Sequence, residues 1–302
     1  MAQMVAVRNA SQKGLGEQRD ETFAEVKADI FTEDYDSAGC WIAVEDGIVV
    51  GYAVGLVERG RLMAGRKEAR IDIEIMPDKR GLGFGSELVD NVLAYARTSG
   101  MTSVLIRCES EEHWKMNLLK ASGFKDVHHW YRMIRRGRER PEPHPLPPGY
   151  RLMSKMSKQL TKEEIGRLVS VSNDAFSETF DFFPMNPEDA ERLMLSSEDI
   201  DRDAWVEKDG RVVGLCVSEE SAGFNKEHGS RMGYIGVLCV LSGHRRGGIG
   251  AALLSEGIEW VLDRGMDEIF LAVDAENPGA LRLYTEHGFS ILREGSYYRV
   301  SL

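Results

Sequence analysis

Three short blocks of this sequence recur, in the same order, in its second half, and that repetition bounds the fold before any single residue is interpreted. Segment 44–51, with Gly47 and Gly51, returns as 206–214, with each glycine displaced by 163 positions to Gly210 and Gly214. Arg80-Gly81-Leu82-Gly83-Phe84-Gly85 returns as Arg245-Arg246-Gly247-Gly248-Ile249-Gly250, and Gly123-Phe124 as Gly288-Phe289, both displaced by 165. A drift of two residues across three ordered matches describes a duplicated domain, and 302 residues is the length of two ordinary domains. Between the copies, five of the nine prolines (Pro141, Pro143, Pro145, Pro147 and Pro148) crowd into one stretch. Proline lacks an amide donor and holds the residue before it extended, so 136–149 is expected to be a stiff, exposed linker. The expected organisation is a first domain at 1–135, the linker at 136–149, and a second domain at 150–302. The arginines at the linker's start (Arg135, Arg136, Arg138, Arg140) read as a solvated charge run.

Each copy predicts the same elements. Short opening strands are expected at 5–8 and 150–153, then helices near 23–31 and 163–175, with a further helix at 187–195. Asp46-Gly47 and Asp209-Gly210 are the dipeptides best suited to a tight hairpin. Longer strands follow at 69–75 and 232–240, each running into a glycine-rich turn and a helix. In the second copy that helix is expected at 251–264. Leu253, Leu254, Ile258, Val261 and Leu262 recur there at helical spacing, and Gly265 ends it. A strand at 268–273, a short helix near 280–287 and final strands complete the copy. The fold class is α/β with a mixed (α+β) sheet, built twice.

The formal net charge of −11 argues against nucleic acid as the main partner, because phosphate binding needs a basic surface. No apolar run reaches the length of a membrane span, so no membrane partner is expected. Cys40, Cys108, Cys216 and Cys239 lie far apart without a C-x-x-C pair. They read as reduced thiols of a cytoplasmic protein, with no metal site.

The chemistry concentrates in the second turn. Glycines at Gly247, Gly248 and Gly250 let the backbone approach a ligand closely. The free amides of the helix start at Ile249, Gly250 and Ala251 form an anion site with the helix dipole. Arg245 and Arg246 add forks suited to phosphate oxygens, and a pyrophosphate is the natural guest. A P-loop would carry Lys-Ser or Lys-Thr after the last glycine, where this chain has Ala251-Ala252, and the G-x-G opening of a dinucleotide fingerprint is out of frame.

Leu238-Cys239-Val240, then Arg245-x-x-Gly248-x-Gly250, then Asn277-x-x-Ala280-x-x-Leu283-Tyr284-x-x-x-Gly288-Phe289 resembles the GNAT acyltransferase superfamily, with both signature blocks in order. The resemblance implies acetyl-CoA as cofactor, its pyrophosphate on the turn and its pantetheine arm along Leu238, Cys239 and Val240, where a backbone N–H polarises the thioester carbonyl. It implies Tyr284 as the acid that protonates the departing thiolate, and Asn277 as a cofactor contact. It implies acyl transfer to a primary amine of a small molecule or a peptide N-terminus. The family often places a glutamate on the strand before the turn; segment 233–239 has none. Glu219, Glu220, Glu227, His228 and Asp274 remain as candidate bases.

The first copy keeps the turn (Arg80, Gly81, Gly83, Gly85), so a second cofactor site is possible there. The second signature block fails: Asn277, Ala280 and Tyr284 correspond to Glu112, Lys115 and Leu119. Leucine donates no proton, so the first copy is expected to be catalytically silent, either a passenger site or purely structural. Glu74 precedes its turn as a relic or packing carboxylate. A paired arrangement of this kind is similar to that of the mycothiol synthase family, as is segment 171–176. Tyr234 stands where that family carries a substrate-binding glutamate, so the resemblance extends to architecture and not to substrate. Two readings stay open from sequence: an N-acetyltransferase, and a non-catalytic acyl-CoA-binding or partner-binding scaffold.

Overall fold

The computed structural model describes residues 2–15, 20–32, 34–196 and 199–302. It divides into two compact units: Met1–His129 with Gly295–Leu302, and Trp130–Glu294.

The first unit begins with α1 (Ala2–Gln12) and α2 (Phe23–Ile30), followed by the hairpin β1 (Cys40–Glu45) and β2 (Ile48–Leu56). Then come α3 (Arg59–Met63), β3 (Glu68–Ile75), α4 (Phe84–Thr98), β4 (Ser103–Glu109), α5 (His113–Ala121) and the start of β5 (Lys125–Arg136). Segment 5–8, expected to be a strand, lies inside α1. Its apolar residues belong to a longer helical face, Met4, Val7 and Ser11, which is buried against Val26, Ile30, Val49, Tyr52 and Val54. A short apolar run fits either period, and the extension of the spacing to twelve residues decides for helix.

The second unit holds the rest of β5, then β6 (Tyr150–Met156), α6 (Lys162–Phe176), α7 (Pro187–Ser196), β7 (Ile200–Lys208), β8 (Arg211–Glu220), α8 (Ala222–His228) and β9 (Met232–Val240). It continues with α9 (Ile249–Asp263), β10 (Glu268–Asp274), α10 (Pro278–Glu286) and the start of β11 (Ser290–Ser301). Both hairpin turns form as Asp-Gly pairs with two positive φ values: 49° and 81° at Asp46 and Gly47, 49° and 75° at Asp209 and Gly210. Capping boxes start α2 (Thr22 with Glu25) and α6 (Thr161 with Glu164).

β5 and β11 occupy equivalent places in the repeat, yet each half-strand completes the unit made mainly of the other copy. Trp130–Arg136 pairs antiparallel with Glu268–Asp274 of β10, in the second unit. Gly295–Ser301 pairs antiparallel with Ser103–Glu109 of β4, in the first. The expected linker has no helix or strand over 137–149, but it is not a free spacer. Arg138 Nη2 donates to Leu262 O (3.2 Å), Arg140 pairs with Asp263, His144 Nδ1 lies 3.2 Å from Ser255 Oγ, and Leu146 packs on the core beneath α9. Among the described residues, no helix is long and apolar enough to cross a membrane.

Two clusters cover the second sheet. Leu253, Leu254, Ile258, Val261 and Leu262 of α9 bury one face with Cys216, Ile235 and Tyr284. On the other face Leu168 and Val171 of α6 pack with Trp205, Leu215, Val217, Val237 and Cys239.

Candidate active site

The site begins where two parallel strands part. β9 pairs with β10 only at Met232, Gly233 and Tyr234, while its other edge stays bonded to β8 as far as Val240. Among the described residues, the edge facing β10 therefore has no strand to bond beyond Tyr234. The β8–β9 ladder carries a bulge: Val217 faces Val237 and Ser218 faces Ile235, leaving Gly236 as the extra residue. Gly233 packs tightly between α9 and β8, since a Cβ there would lie 2.5 Å from Val261 Cγ1 and 2.9 Å from Glu219 O.

β9 leads into the turn. Arg246 (φ 64°) and Gly248 (φ 82°) are both left-handed, with Gly248 as the N-cap of α9. The first bond into the helix runs from Ala252 N to Gly248 O (3.0 Å), so the amides of Ile249, Gly250 and Ala251 precede the helical ladder. Arg245 is spent partly on the protein itself: Nε donates to Val240 O (2.8 Å) and Nη2 to Ala175 O (3.3 Å), tying the turn to β9 and α6. Arg246 is exposed on the turn. Sequence reasoning treated the two arginines alike; only the fold separates a brace from a free fork.

Tyr284 stands on α10, 7% exposed, its ring edge-on to Phe289 at 6.0 Å. Burial, followed by the neighbouring Cys216 and Cys239, pushes its phenol well above the usual range, so it is protonated at neutral pH. Among the described residues its hydroxyl has no hydrogen-bond partner. Burial likewise pushes the Cys216 and Cys239 thiols up to about 12, which makes both neutral and poor nucleophiles. Asn277 is the N-cap of α10, its Oδ1 accepting from Ala280 N at 3.0 Å.

The opposite face carries acids. Alternation along β8 places Glu219 on the side of Val217 and Leu215, toward α6. Its Cα pairs with Tyr234 on one side and Asp201 on the other, and its Oε2 lies 3.7 Å from where a Cβ on Gly236 would stand. Burial, then the charges of Asp201 and Asp199, raise its carboxyl to about 7. Burial raises Asp203 to about 6 as well, against a hydrogen bond from Ser157.

The first copy repeats the turn and sets a buried ion cluster against β3. Gly81 (φ 77°) and Gly83 (φ 95°) match Arg246 and Gly248, and β3 pairs with β4 only at Glu68, Ala69 and Arg70. The β2–β3 ladder runs without a bulge. Lys115 Nζ donates to Glu74 Oε1 (2.9 Å) and to Glu112, all three residues at most 6% exposed. Burial alone would lower Lys115, but the two carboxylates carry it above its usual value. Arg80 donates to Ser11 O (2.8 Å) and Ser11 Oγ (2.9 Å), and its guanidinium sits 4.4 Å from the Trp114 ring centroid.

The comparisons with known proteins give the family of the chain. The profile of the acetyltransferase (GNAT) family matches residues 5–124 and 166–289. A mycothiol acetyltransferase of Actinosynnema mirum is 29% identical over 82% of this chain and 79% of its own. One of Clavibacter michiganensis is 26% identical over 82% of this chain and 79% of its own. A tandem GNAT protein from the clavulanic acid biosynthesis pathway superposes with a TM-score of 0.78 at 15% identity, over 99% of this chain and 94% of that one. At that identity the likeness concerns the fold alone.

Proposed function

Because this chain belongs to the acetyltransferase (GNAT) family, we propose that its second copy carries out the reaction, moving an acetyl group from coenzyme A to a primary amine by direct attack. The observation that carries this reading is the pairing of an open β9 edge with Tyr284, a residue 7% exposed whose hydroxyl has no hydrogen-bond partner among the described residues.

The residues present fit coenzyme A. Along Leu238, Cys239 and Val240, the backbone groups that face away from β8, the Val240 carbonyl held by Arg245 excepted, offer donors and acceptors that a pantetheine arm can bond. The amides of Ile249, Gly250 and Ala251, with Gly247 and Gly248 lacking side chains and Arg246 at the rim, form a nest for a pyrophosphate. Bound there, the cofactor supplies an activated thioester. The chain's own groups do the rest. A backbone N–H of the β9 edge stabilises negative charge as it grows on the carbonyl oxygen. Tyr284 holds a proton at Oη for the sulfur. From reference values, phenol to thiolate is uphill by about 2 kcal/mol, and burial raises that further. The hydroxyl therefore acts as a hydrogen-bond donor whose proton passes as charge develops. Neutral Cys216 and Cys239 thiols argue against an acyl-enzyme route.

In this reading the first copy is structural. Lys115, Glu74 and Glu112 fill the place equivalent to the pantetheine cleft, and Arg80 is committed to Ser11 and Trp114. Asn277 serves the site through the cap that sets the start of α10. The acceptor is a small-molecule or peptide amine, and the likeness to the mycothiol acetyltransferases named above favours the small molecule.

Tyr284→Phe tests the central step. Release of free thiol from acetyl-CoA with a panel of primary amines is expected to fall by roughly 10²- to 10⁴-fold, with acetyl-CoA affinity retained. Turnover equal to wild type would remove Tyr284 from the chemistry.

A further inference from the structure

The glutamate that many members of this family place on the strand before the turn is missing here, and the fold offers a replacement from the neighbouring strand. We infer that Glu219 is the general base that takes a proton from the acceptor amine. This rests on the acetyl-transfer reading above and specifies its acceptor side.

Three observations carry it. Glu219 lies beside the bulged Gly236, just past the point where β9 leaves β10, and Gly236 is exposed and sets no side chain against the carboxylate. It faces the α6 side of the sheet while Tyr284 belongs to the core on the α9 side, so base and acid approach the same strand from opposite faces. Among the described residues, the Glu219 carboxylate has no ion pair or hydrogen bond. The other acids and the histidine near this end of the sheet are engaged or remote. Glu220 pairs with Arg264, Asp274 Oδ1 accepts from Glu276 N (2.8 Å), the His228 ring lies 4.7 Å from Phe224, and Glu227 is exposed on α8.

The charges that act on Glu219 itself are those of the Asp201 and Asp199 carboxylates. Asp201 is its direct partner on β7, with Asp199 beyond it and Asp203 two residues further along, and Tyr234 faces it from β9. Lys158 is the cation that acts on Asp201. Asp201 Oδ1 is itself buried without a hydrogen bond. Such a surface favours a cationic acceptor, and the same charges, after burial, let Glu219 hold its proton up to about pH 7.

The step balances as follows. The Glu219 carboxylate takes one proton from the ammonium, and the freed nitrogen lone pair forms the C–N bond. The C–S bond breaks with its electron pair on sulfur, which takes the Tyr284 proton. The second nitrogen proton restores Tyr284 through solvent, and Glu219 returns its own to water, for one proton released per turnover.

The test compares wild type, Glu219→Gln, Glu219→Asp and the exposed control Glu227→Gln in the full chain. Thiol release from acetyl-CoA is followed with glucosamine, ethanolamine and spermidine from about pH 6 to 10. Wild-type kcat/KM should rise through about pH 7, the range to which burial raises Glu219. Glu219→Gln should fall by roughly 10²- to 10⁴-fold near pH 7 and recover toward high pH, as free amine forms without help. Glu219→Asp should keep the neutral limb at reduced rate, and Glu227→Gln should match wild type. Independently of turnover, Glu219→Gln should melt higher than wild type at pH 8.5 and level with it at pH 4, because a raised carboxyl costs stability only once ionised. Equal rates and pH profiles for wild type and Glu219→Gln would overturn the Glu219 assignment alone. A wild type that binds acetyl-CoA but releases no thiol with any of the amines would overturn the acetyl-transfer reading beneath it.

Discussion

Lys115 and Ala280 stand at the same point of the repeat, and the difference between them separates the two copies. In the first, an ammonium 5% exposed bridges two buried carboxylates; in the second, an alanine stands at the equivalent position and makes no such bridge. Removing one member of a buried ion cluster strands the others. Lys115→Ala should therefore destabilise the protein by about 3–5 kcal/mol, read from chemical denaturation. Lys115→Met is expected to show a loss of the same kind, since it too leaves Glu74 and Glu112 unpaired. Acetyl-CoA binding by the folded fraction should not change. This distinction was half legible in the sequence. The replacement of Asn277, Ala280 and Tyr284 by Glu112, Lys115 and Leu119 pointed to a silent copy. That Glu74 completes a salt-bridged plug was not legible, because its partner lies forty-one positions away.

At the scale of elements, the strand, turn and helix around the second glycine block could be read from the sequence because glycine is demanded locally. Gly248 at φ 82° and the Asp-Gly hairpins need no knowledge of the rest of the chain. The helix at 2–12 was misread because only its first apolar positions were weighed as strand, without the burial of Ser11 a further turn along. Asn277 shows why motif residues need geometry. Its side chain closes the first turn of α10, so Asn277→Ala should cost about 1 kcal/mol, measured by thermal melting. Asn277→Asp should keep the cap and the melting temperature. If the cap is its whole role, acetyl-CoA affinity in Asn277→Asp also stays at the wild-type value; a selective loss of affinity would give Asn277 a direct contact with the cofactor.

At the scale of the molecule, the prolines that mark the middle of the chain do not mark the limits of its compact units. Strand partners in the units are drawn from distant sequence: β4 from the first copy with Gly295–Ser301, and β10 from the second with Trp130–Arg136. No local pattern encodes which edge a strand will choose, so the repeat was visible and the exchange was not. The consequence is testable. A fragment of residues 150–302 leaves the β10 edge without Trp130–Arg136 and should aggregate or remain unfolded, whereas residues 130–294 keep that pairing and should give a cooperative melt. The reverse result, a stable 150–302 and an unfolded 130–294, would contradict this assignment of strands.

The central claim is that one copy holds the cofactor and the other is closed. The turns offer a matched pair for testing it, since Gly247 and Leu82 are equivalent, both exposed, and neither has a positive φ. A glutamate at either position places a negative charge at the mouth of its turn without backbone strain. Calorimetric titration of acetyl-CoA into the full chain should give one site, lost in Gly247→Glu and unchanged in Leu82→Glu. Two sites, or a single site lost in Leu82→Glu and kept in Gly247→Glu, would contradict the account.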